Sequence, residues 1–313
     1  MEQRDWDKNI LNQPDYTFLQ SFAWGEFQAA LGEKVFRWPG CQVFTVTARR
    51  GKFLFAPHIS KIGKTLVDSL VKIAKENGCS FIRISPWVEN TAENKNIYAD
   101  LGFRDAPTYM HTEDTWLVPI TGLESEILAN MRKTTRNLIN RGLREKIEIT
   151  QSDNVSDVKY LYDLQIETVA RHHFVPFSLK YLQTEFSVLQ SRQMARLFLG
   201  RFNNQITSAA IIIFFGKRAF YFQSGSKETK EPVSYVLQWE VIKEAKRRGC
   251  EIYNMWGVAP QDQPRHKFAG ITIFKSGFGG YRKSYLHAQD LPLSARYWLT
   301  YLLEKLPRGL RRI

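Results

Sequence analysis

The feature that most constrains this chain is a repeat. The stretch Ala74-Lys75-Glu76-Asn77-Gly78-Cys79-Ser80-Phe81-Ile82-Arg83-Ile84 aligns without gaps with Ala245-Lys246-Arg247-Arg248-Gly249-Cys250-Glu251-Ile252-Tyr253-Asn254-Met255, and Ala, Lys, Gly and Cys coincide. In each copy an amphipathic helical pattern ends at a glycine, Gly78 or Gly249, the residue type that takes the left-handed cap conformation, and a short apolar strand follows. The helices begin near Thr65 and near Tyr235. Upstream of each, the pattern reads as a hairpin: strands at 43–48 and 53–58 about a turn at 50–52, then strands at 208–215 and 219–224 about a turn at 216–218. Downstream, each copy reaches a Gly-Phe pair, Gly102-Phe103 or Gly277-Phe278, where the pattern predicts a late aromatic strand. Hairpin, helix, strand and aromatic strand in one order, twice, imply two units of one design.

That order, with the IYADLGF ending of the first copy, resembles the Gcn5-related N-acetyltransferase (GNAT) fold, in which a mixed sheet splays open to admit a ligand. The resemblance implies an α/β (α+β) chain of two tandem GNAT-like domains, each a mixed sheet flanked by helices. The first is expected over 1–130, with 286–313 packing back on it. The second is expected over 131–285, opening with a basic connecting helix.

At 313 residues the chain has room for two such domains, and 43% hydrophobic residues can fill two cores. The longest apolar run, 209–215, is far shorter than the roughly 18 to 20 residues a membrane-spanning helix needs. The first ten residues, MEQRDWDKNI, carry no apolar h-region, so a cytoplasmic location is expected, at most peripheral at the inner membrane face. Cys41, Cys79 and Cys250 lack metal or disulfide spacing and read as reduced structural thiols. Charge is the outlier: 44 Lys and Arg against 31 Asp and Glu leave +13, favouring partners that carry phosphate. The densest basic segment, MRKTTRNLINRGLREK, lies between the copies and reads either as a solvated connecting helix or as a phosphate-binding one, with Arg132, Lys133, Arg136 and Arg141 as the candidates.

The most distinctive segment is Tyr253-Asn254-Met255-Trp256-Gly257-Val258-Ala259-Pro260, followed by Lys267-Phe268-Ala269-Gly270-Ile271-Thr272-Ile273-Phe274-Lys275-Ser276-Gly277-Phe278-Gly279-Gly280. Together with Gln20-Ser21-Phe22-Ala23-Trp24-Gly25-Glu26-Phe27-Gln28, Arg83-x-x-Pro86, Lys133-x-x-Arg136-Asn137, Arg171, Ser178-x-x-Tyr181 and Tyr235-x-x-Gln238-Trp239, it resembles the Fem family of peptidoglycan-bridge aminoacyltransferases. The resemblance spans nearly the whole chain. Without an extended heptad pattern between Arg132 and Ala259, it is nearer the shorter members, which lack a long helical arm.

What the resemblance implies is transfer of an amino acid from aminoacyl-tRNA to the stem peptide of a UDP- or lipid-linked muropeptide. An ester is already activated, so no cofactor or metal is implied; the work lies in placing the amine and stabilising the tetrahedral oxygen. Lys275, beside Phe274 in the F-K-x-G-F box, is the implied oxyanion-stabilising cation, with an edge-strand surface lysine as the plainer alternative. Substrate contacts are expected from Trp24, Gln28, Arg83, Trp87, Arg171, Tyr235, Trp256 and Gly257: Arg83 for phosphate, Trp87 for sugar or uracil with core packing as its alternative, Tyr235 with a helix-start aromatic as its alternative, and Gln28 in place of the lysine that the shorter members use. The connecting-helix residues Arg132, Lys133, Arg136 and Arg141 would meet tRNA.

Residues 226–232 carry no glycine-spaced pyrophosphate loop, which weighs against an acyl-CoA-dependent N-acyltransferase. A non-catalytic basic protein that binds RNA or membrane is the third reading. His172-His173 lacks metal-ligand spacing. Asp105, Glu113 and Asp114 are acidic candidates for a base. The amphipathic helix at 295–307, followed by Arg308, Arg311 and Arg312, either covers the first domain or rests on an anionic leaflet.

Overall fold

The two hairpin patterns form the backbone of two separate sheets. The computed structural model describes residues 3–48, 51–172, 176–263 and 265–306. The chain divides into two units, Met1–Glu113 with Ser284–Ile313, and Asp114–Lys283.

The first unit opens with α1 (Gln3–Leu11) and α2 (Phe22–Ala30), continues through β1 (Val35–Trp38), β2 (Cys41–Ala48), β3 (Gly51–Ile59), α3 (Lys64–Glu76) and β4 (Phe81–Pro86), then α4 (Ala92–Asp100) and β5 (Arg104–Asp105). The second runs β6 (Asp114–Pro119), α5 (Glu124–Ala129), α6 (Lys133–Arg144), β7 (Glu148–Ser152), α7 (Val158–His172), α8 (Leu179–Ser191), β8 (Ala195–Phe202), β9 (Gln205–Phe215), β10 (Arg218–Ser226), α9 (Val233–Arg247), β11 (Ile252–Gly257), α10 (Ala269–Ser276) and β12 (Tyr281–Ser284). The chain returns to the first unit with β13 (Gln289–Pro292) and α11 (Arg296–Lys305).

Sheet order is β1-β2-β3-β4-β13-β5 in the first unit and β12-β6-β11-β10-β9-β8-β7 in the second. Each is mixed: β3 and β4 pair parallel, as do β10 and β11, while the hairpins are antiparallel. Gly78 and Gly249 follow α3 and α9 with φ of +69° and +78°, the left-handed conformation their sequence pattern calls for. Helix α3 buries Val67, Leu70 and Ala74 against the first sheet, in a core with Val43, Leu54, Ile82 and Ile84. Helix α9 buries Leu237, Val241 and Ile242 in the second core, with Phe198, Ile212 and Met255. The two parallel steps also share a fault: the β3–β4 register shifts between Ala56 and Ile59, and β10 pairs with β11 only as far as Phe220 opposite Asn254.

Two expectations differ from the structure. Residues 114–130, expected with the first unit, belong to the second because β6 pairs with β11, Tyr253 opposite Val118. The Gly277-Phe278 pair follows a helix, α10, in place of the expected late strand. Its β-branched Ile271, Thr272 and Ile273 favour a strand locally, and tertiary packing overrides that preference. The 50–52 turn enters β3 at Gly51 with φ +140°, and Arg50 lies outside the described residues. Cys41, Cys79 and Cys250 are free and buried. Among the described residues, no helix is long and apolar enough to cross a membrane.

Candidate active site

Lys275 lies in the last turn of α10 and is only 6% exposed. The edge-strand surface position is thereby excluded. Its Nζ donates to the Gly257 carbonyl at 2.7 Å and stands 5.6 Å from the centre of the Tyr221 ring. Burial disfavours the ammonium and lowers its pKa from 10.5 to about 7, so both protonation states are populated near neutrality. The implied cation is therefore titratable in the physiological range.

The carbonyl that holds Lys275 is presented by an irregularity in β11. Between Asn254 and Gly257 the register against β6 shifts, Trp256 takes φ +63°, and the Asn254 side chain accepts from the Trp256 amide at 2.8 Å. Downstream, the Ala259 amide donates to Thr272 Oγ1 at 2.8 Å, tying the strand's exit to α10. The Tyr-Asn-Met-Trp-Gly-Val-Ala-Pro run thus encodes a bulge that aims a carbonyl at the box lysine. Tyr221 and Tyr253 lie nearby, and the buried Tyr253 hydroxyl donates to Gln238 Oε1 at 2.5 Å. Thr115 pairs with Gly257 across the sheet; its fully buried Oγ1 has no hydrogen-bond partner.

Phe274 packs edge-on to Tyr235 at 5.0 Å and to Phe278 at 5.2 Å. Tyr235, in the first turn of α9, also stacks on Phe278 at 5.9 Å. Phe274 and Tyr235 therefore form one aromatic cluster beside the lysine. Trp256, in the bulge, meets Phe222 at 5.4 Å. The box glycines allow the chain to approach its own neighbours: a Cβ at Gly277 would stand 2.4 Å from Thr135 Oγ1, and Gly280, at φ +80°, lies against the Leu117 carbonyl.

Thr135 belongs to α6, so the basic helix and the box meet. The Arg132 amide donates to the Gly277 carbonyl at 2.9 Å, and its guanidinium reaches Ser276 Oγ at 3.1 Å and the Ile273 carbonyl at 3.4 Å. Arg136 donates to the Ala129 and Met131 carbonyls, Arg141 to the Lys230 carbonyl and to Glu145, and Lys133 is exposed. Of these, Arg132 borders the end of α10 that carries Lys275.

The first unit does not offer the contacts expected of it. Arg83 is 2% exposed and its fork is already filled: Nε to Asp290 Oδ1 at 2.7 Å, Nη2 to Asp290 Oδ2 at 2.8 Å, and Nη2 to Glu304 Oε2 at 2.8 Å. Burial alone would lower its pKa; the bonds and charges of Asp290 and then Glu304 outweigh that and raise it. Strand pairing puts Asp290 opposite Arg83, so this arginine braces the sheet and has no free fork for phosphate. Trp87 is 2% exposed, stacked between His58 at 4.0 Å and Tyr285 at 3.5 Å. His58 sits in the β3–β4 irregularity at φ +45°, so this stack fills the first sheet's splay with the protein's own rings. Burial holds the His58 and His111 imidazoles neutral, His111 down to about 4. Trp24 is a core residue against Phe18 and Phe27, and Gln28 is buried.

Arg171 is outside the residues whose side chains are described, as are His172 and His173. The acidic candidates all have partners: Asp105 with Lys95, Glu113 with His287, Asp114 with Arg282. Glu185 is a residue that motif reading passes over. It is fully buried on α8, accepts from Gln223 Nε2 at 3.2 Å, and has an Oε1 with no partner; burial, opposed by the Gln223 bond, pushes its pKa up to about 8. The signal is present in the helix pattern, where Glu185 interrupts the apolar face of Leu182, Phe186 and Leu189.

Residues 187–305, which include β10, β11 and the Lys275 box, match the FemAB family. The whole chain superposes on the crystal structure of FemX with a TM-score of 0.81 at 17% identity, covering 97% of this chain and 98% of that one. The chain has a tandem GNAT-like fold, and its second unit carries the match to the FemAB family. The fold is similar, more distantly, to L-PGS from Bacillus licheniformis (TM-score 0.59, 13% identity, 91% of this chain and 92% of that one). It is also similar to a tandem GNAT protein from the clavulanic acid biosynthesis pathway (TM-score 0.51, 7% identity, 80% and 78%). No curated protein matches the sequence. In this chain the box lysine and the basic helix share the second unit, and the first unit's splay is closed by its own aromatic stack.

Proposed function

We propose that the chain is a Fem-type peptidoglycan bridge transferase, and that it moves an amino acid from aminoacyl-tRNA to the stem peptide of a UDP- or lipid-linked muropeptide. The observation that carries this reading is the junction of α6 with α10: a buried lysine of tunable charge lies on the helix that Arg132 contacts, at the start of a basic helix with Lys133 exposed beside it. A tRNA 3′ end needs both, phosphate neutralisation along the backbone and a charge at the ester.

In the reaction, the peptide amine attacks the ester carbonyl carbon. A C–N bond forms, the carbonyl π electrons move onto oxygen, and collapse of the tetrahedral species breaks the C–O bond to the ribose. The amine's proton ends on the departing ribose oxygen. Lys275 Nζ keeps one N–H on the Gly257 carbonyl, which fixes its direction, and the ammonium form presents its others to the developing oxyanion. Phe274, Phe278 and Tyr235 keep this region dry, which strengthens the charge interaction. Tyr235, Trp256 and Gly257 border the same space and remain the proposed substrate contacts.

An acyl-CoA donor suits the geometry less well. The amides of Val233, Tyr235 and Val236 at the start of α9 already donate to the Glu231 and Pro232 carbonyls, so they form no open pyrophosphate nest. The test is to incubate the protein with pools of charged tRNA and with UDP- or lipid-linked muropeptide, with acetyl-CoA in a parallel arm, and weigh the peptide. The mass of an aminoacyl residue supports the proposal; an acetyl increment from the CoA arm alone refutes it.

A further inference from the structure

Helix α11 is anchored by one face and leaves another to solvent. Tyr297 is fully buried, and Glu304, two turns on, bonds Arg83. The other side carries Trp298, Leu299, Leu302 and Leu306, which are 44%, 59%, 63% and 40% exposed. Their spacing puts them in one stripe along the helix. The anchoring of α11 comes from the Tyr297 and Glu304 side, so the stripe is not required for it.

The border of the stripe is basic. The Arg104 guanidinium lies 4.6 Å from the Trp298 ring centre and 5.5 Å from that of Tyr301, Lys305 Nζ lies 4.7 Å from the Tyr301 ring, and Arg296 is exposed at the helix start. The neighbouring acids are engaged elsewhere, Asp290 and Glu304 with Arg83, Asp105 with Lys95. The chain as a whole carries +13. An apolar stripe with a tryptophan, edged by cations, has the chemistry that recognises an anionic bilayer surface. A second copy fits less well, because a two-fold interface on this face would bring the same cations together.

We propose that α11 docks the protein on an anionic phospholipid surface, lying in the plane of the bilayer with Trp298, Leu299 and Leu302 immersed and Arg104, Arg296 and Lys305 against lipid phosphates. At ten residues the helix is about 15 Å long, which gives reversible binding that depends on both the stripe and the charge. The proposal is independent of the reaction assigned above.

The test is cosedimentation of the full chain with extruded phosphatidylglycerol–phosphatidylcholine vesicles and with phosphatidylcholine vesicles. Wild type is expected to partition at least about tenfold better onto the anionic vesicles, and to lose that preference at high salt. The Leu299→Glu/Leu302→Glu variant should lose about tenfold or more, with its melting temperature unchanged because both side chains are exposed. Lys305→Glu should lose about twenty- to thirtyfold, two elementary charges at roughly fivefold each. Equal binding by wild type and the double variant, or no binding by wild type, overturns the proposal. A wild-type dimer in sedimentation velocity that Leu302→Glu splits would assign the stripe to a second copy and overturn it too.

Discussion

Replacing Lys275 with Met separates its chemical role from its structural cost. In the folded protein the Lys275 pKa stands at about 7 against an ordinary 10.5, which at 1.36 kcal/mol per pH unit is about 5 kcal/mol of disfavour for the buried ammonium. Below pH 7 both folded and unfolded states carry the proton, so that cost is present in full and constant. Between pH 7 and 10.5 the unfolded state holds more protons than the folded one, so wild-type stability rises with pH relative to the variant. The difference between the two proteins should therefore move by about 1.4 kcal/mol per pH unit, roughly 4 kcal/mol from pH 7 to 10. Met removes the charge, and it also leaves the Gly257 carbonyl without its donor, worth about 1–3 kcal/mol against the variant at every pH. Urea melts of both proteins at pH 6, 7.5 and 9 measure this. The variant should be the more stable one at pH 6 and lose its advantage by pH 9. Aminoacyl transfer by the same folded variant should fall by about 10² to 10³. A stability difference that is flat with pH would show that the lysine is not buried as described, and full activity would remove it from the mechanism.

Arg83→Ala should unfold the first unit more readily by about 3–5 kcal/mol, because Asp290 and Glu304 are left buried or half-buried without their cation; chemical denaturation reads this, and a decrease under 1 kcal/mol would contradict the brace. Glu185→Gln should stabilise the protein at pH 7 by about 3 kcal/mol and flatten its stability curve. The folded carboxyl holds its proton up to about pH 8, so wild-type stability falls from pH 4.5 to 8, and an unchanged curve in the variant would refute the burial argument. Aminoacyl-tRNA affinity should fall with salt, and replacing Lys133 and Arg136 by Ala should reduce the slope of log K against log salt by about 0.7 to 0.9 for each phosphate no longer neutralised, with an unchanged slope returning α6 to a purely structural role.

The parts of this fold that the sequence makes legible are those set by local patterns. The glycines that end α3 and α9 and the two hairpins are short-range signals, and repetition strengthens each of them. Lys275 stands out through its neighbours Phe274, Gly277 and Phe278, yet its burial follows from Gly257, which a bulge in a different element presents. The F-K-x-G-F box reads as a strand because Ile271, Thr272 and Ile273 prefer one, and tertiary packing, which seats Gly277 against Thr135 of α6, overrides that preference. Arg83 shows the opposite limit. An arginine near a tryptophan reads as a phosphate site until Asp290 arrives from 207 residues away to occupy it. Trp87 is covered by Tyr285 in the same way, across a separation no local pattern records. Glu185 is readable as a break in an apolar helix face, but its Gln223 partner is not.

The central claim is that the acyl donor is aminoacyl-tRNA and that Lys275 serves its ester. A single-turnover experiment with tRNA labelled at its 3′ end tests it most directly, by following charged tRNA and muropeptide together. The account predicts that each charged tRNA consumed appears as one aminoacylated muropeptide, at a rate that Lys275→Met lowers by about 10² to 10³ and that added CoA leaves unchanged. Charged tRNA that persists while the muropeptide gains mass from another donor, or transfer at the wild-type rate in Lys275→Met, would contradict it.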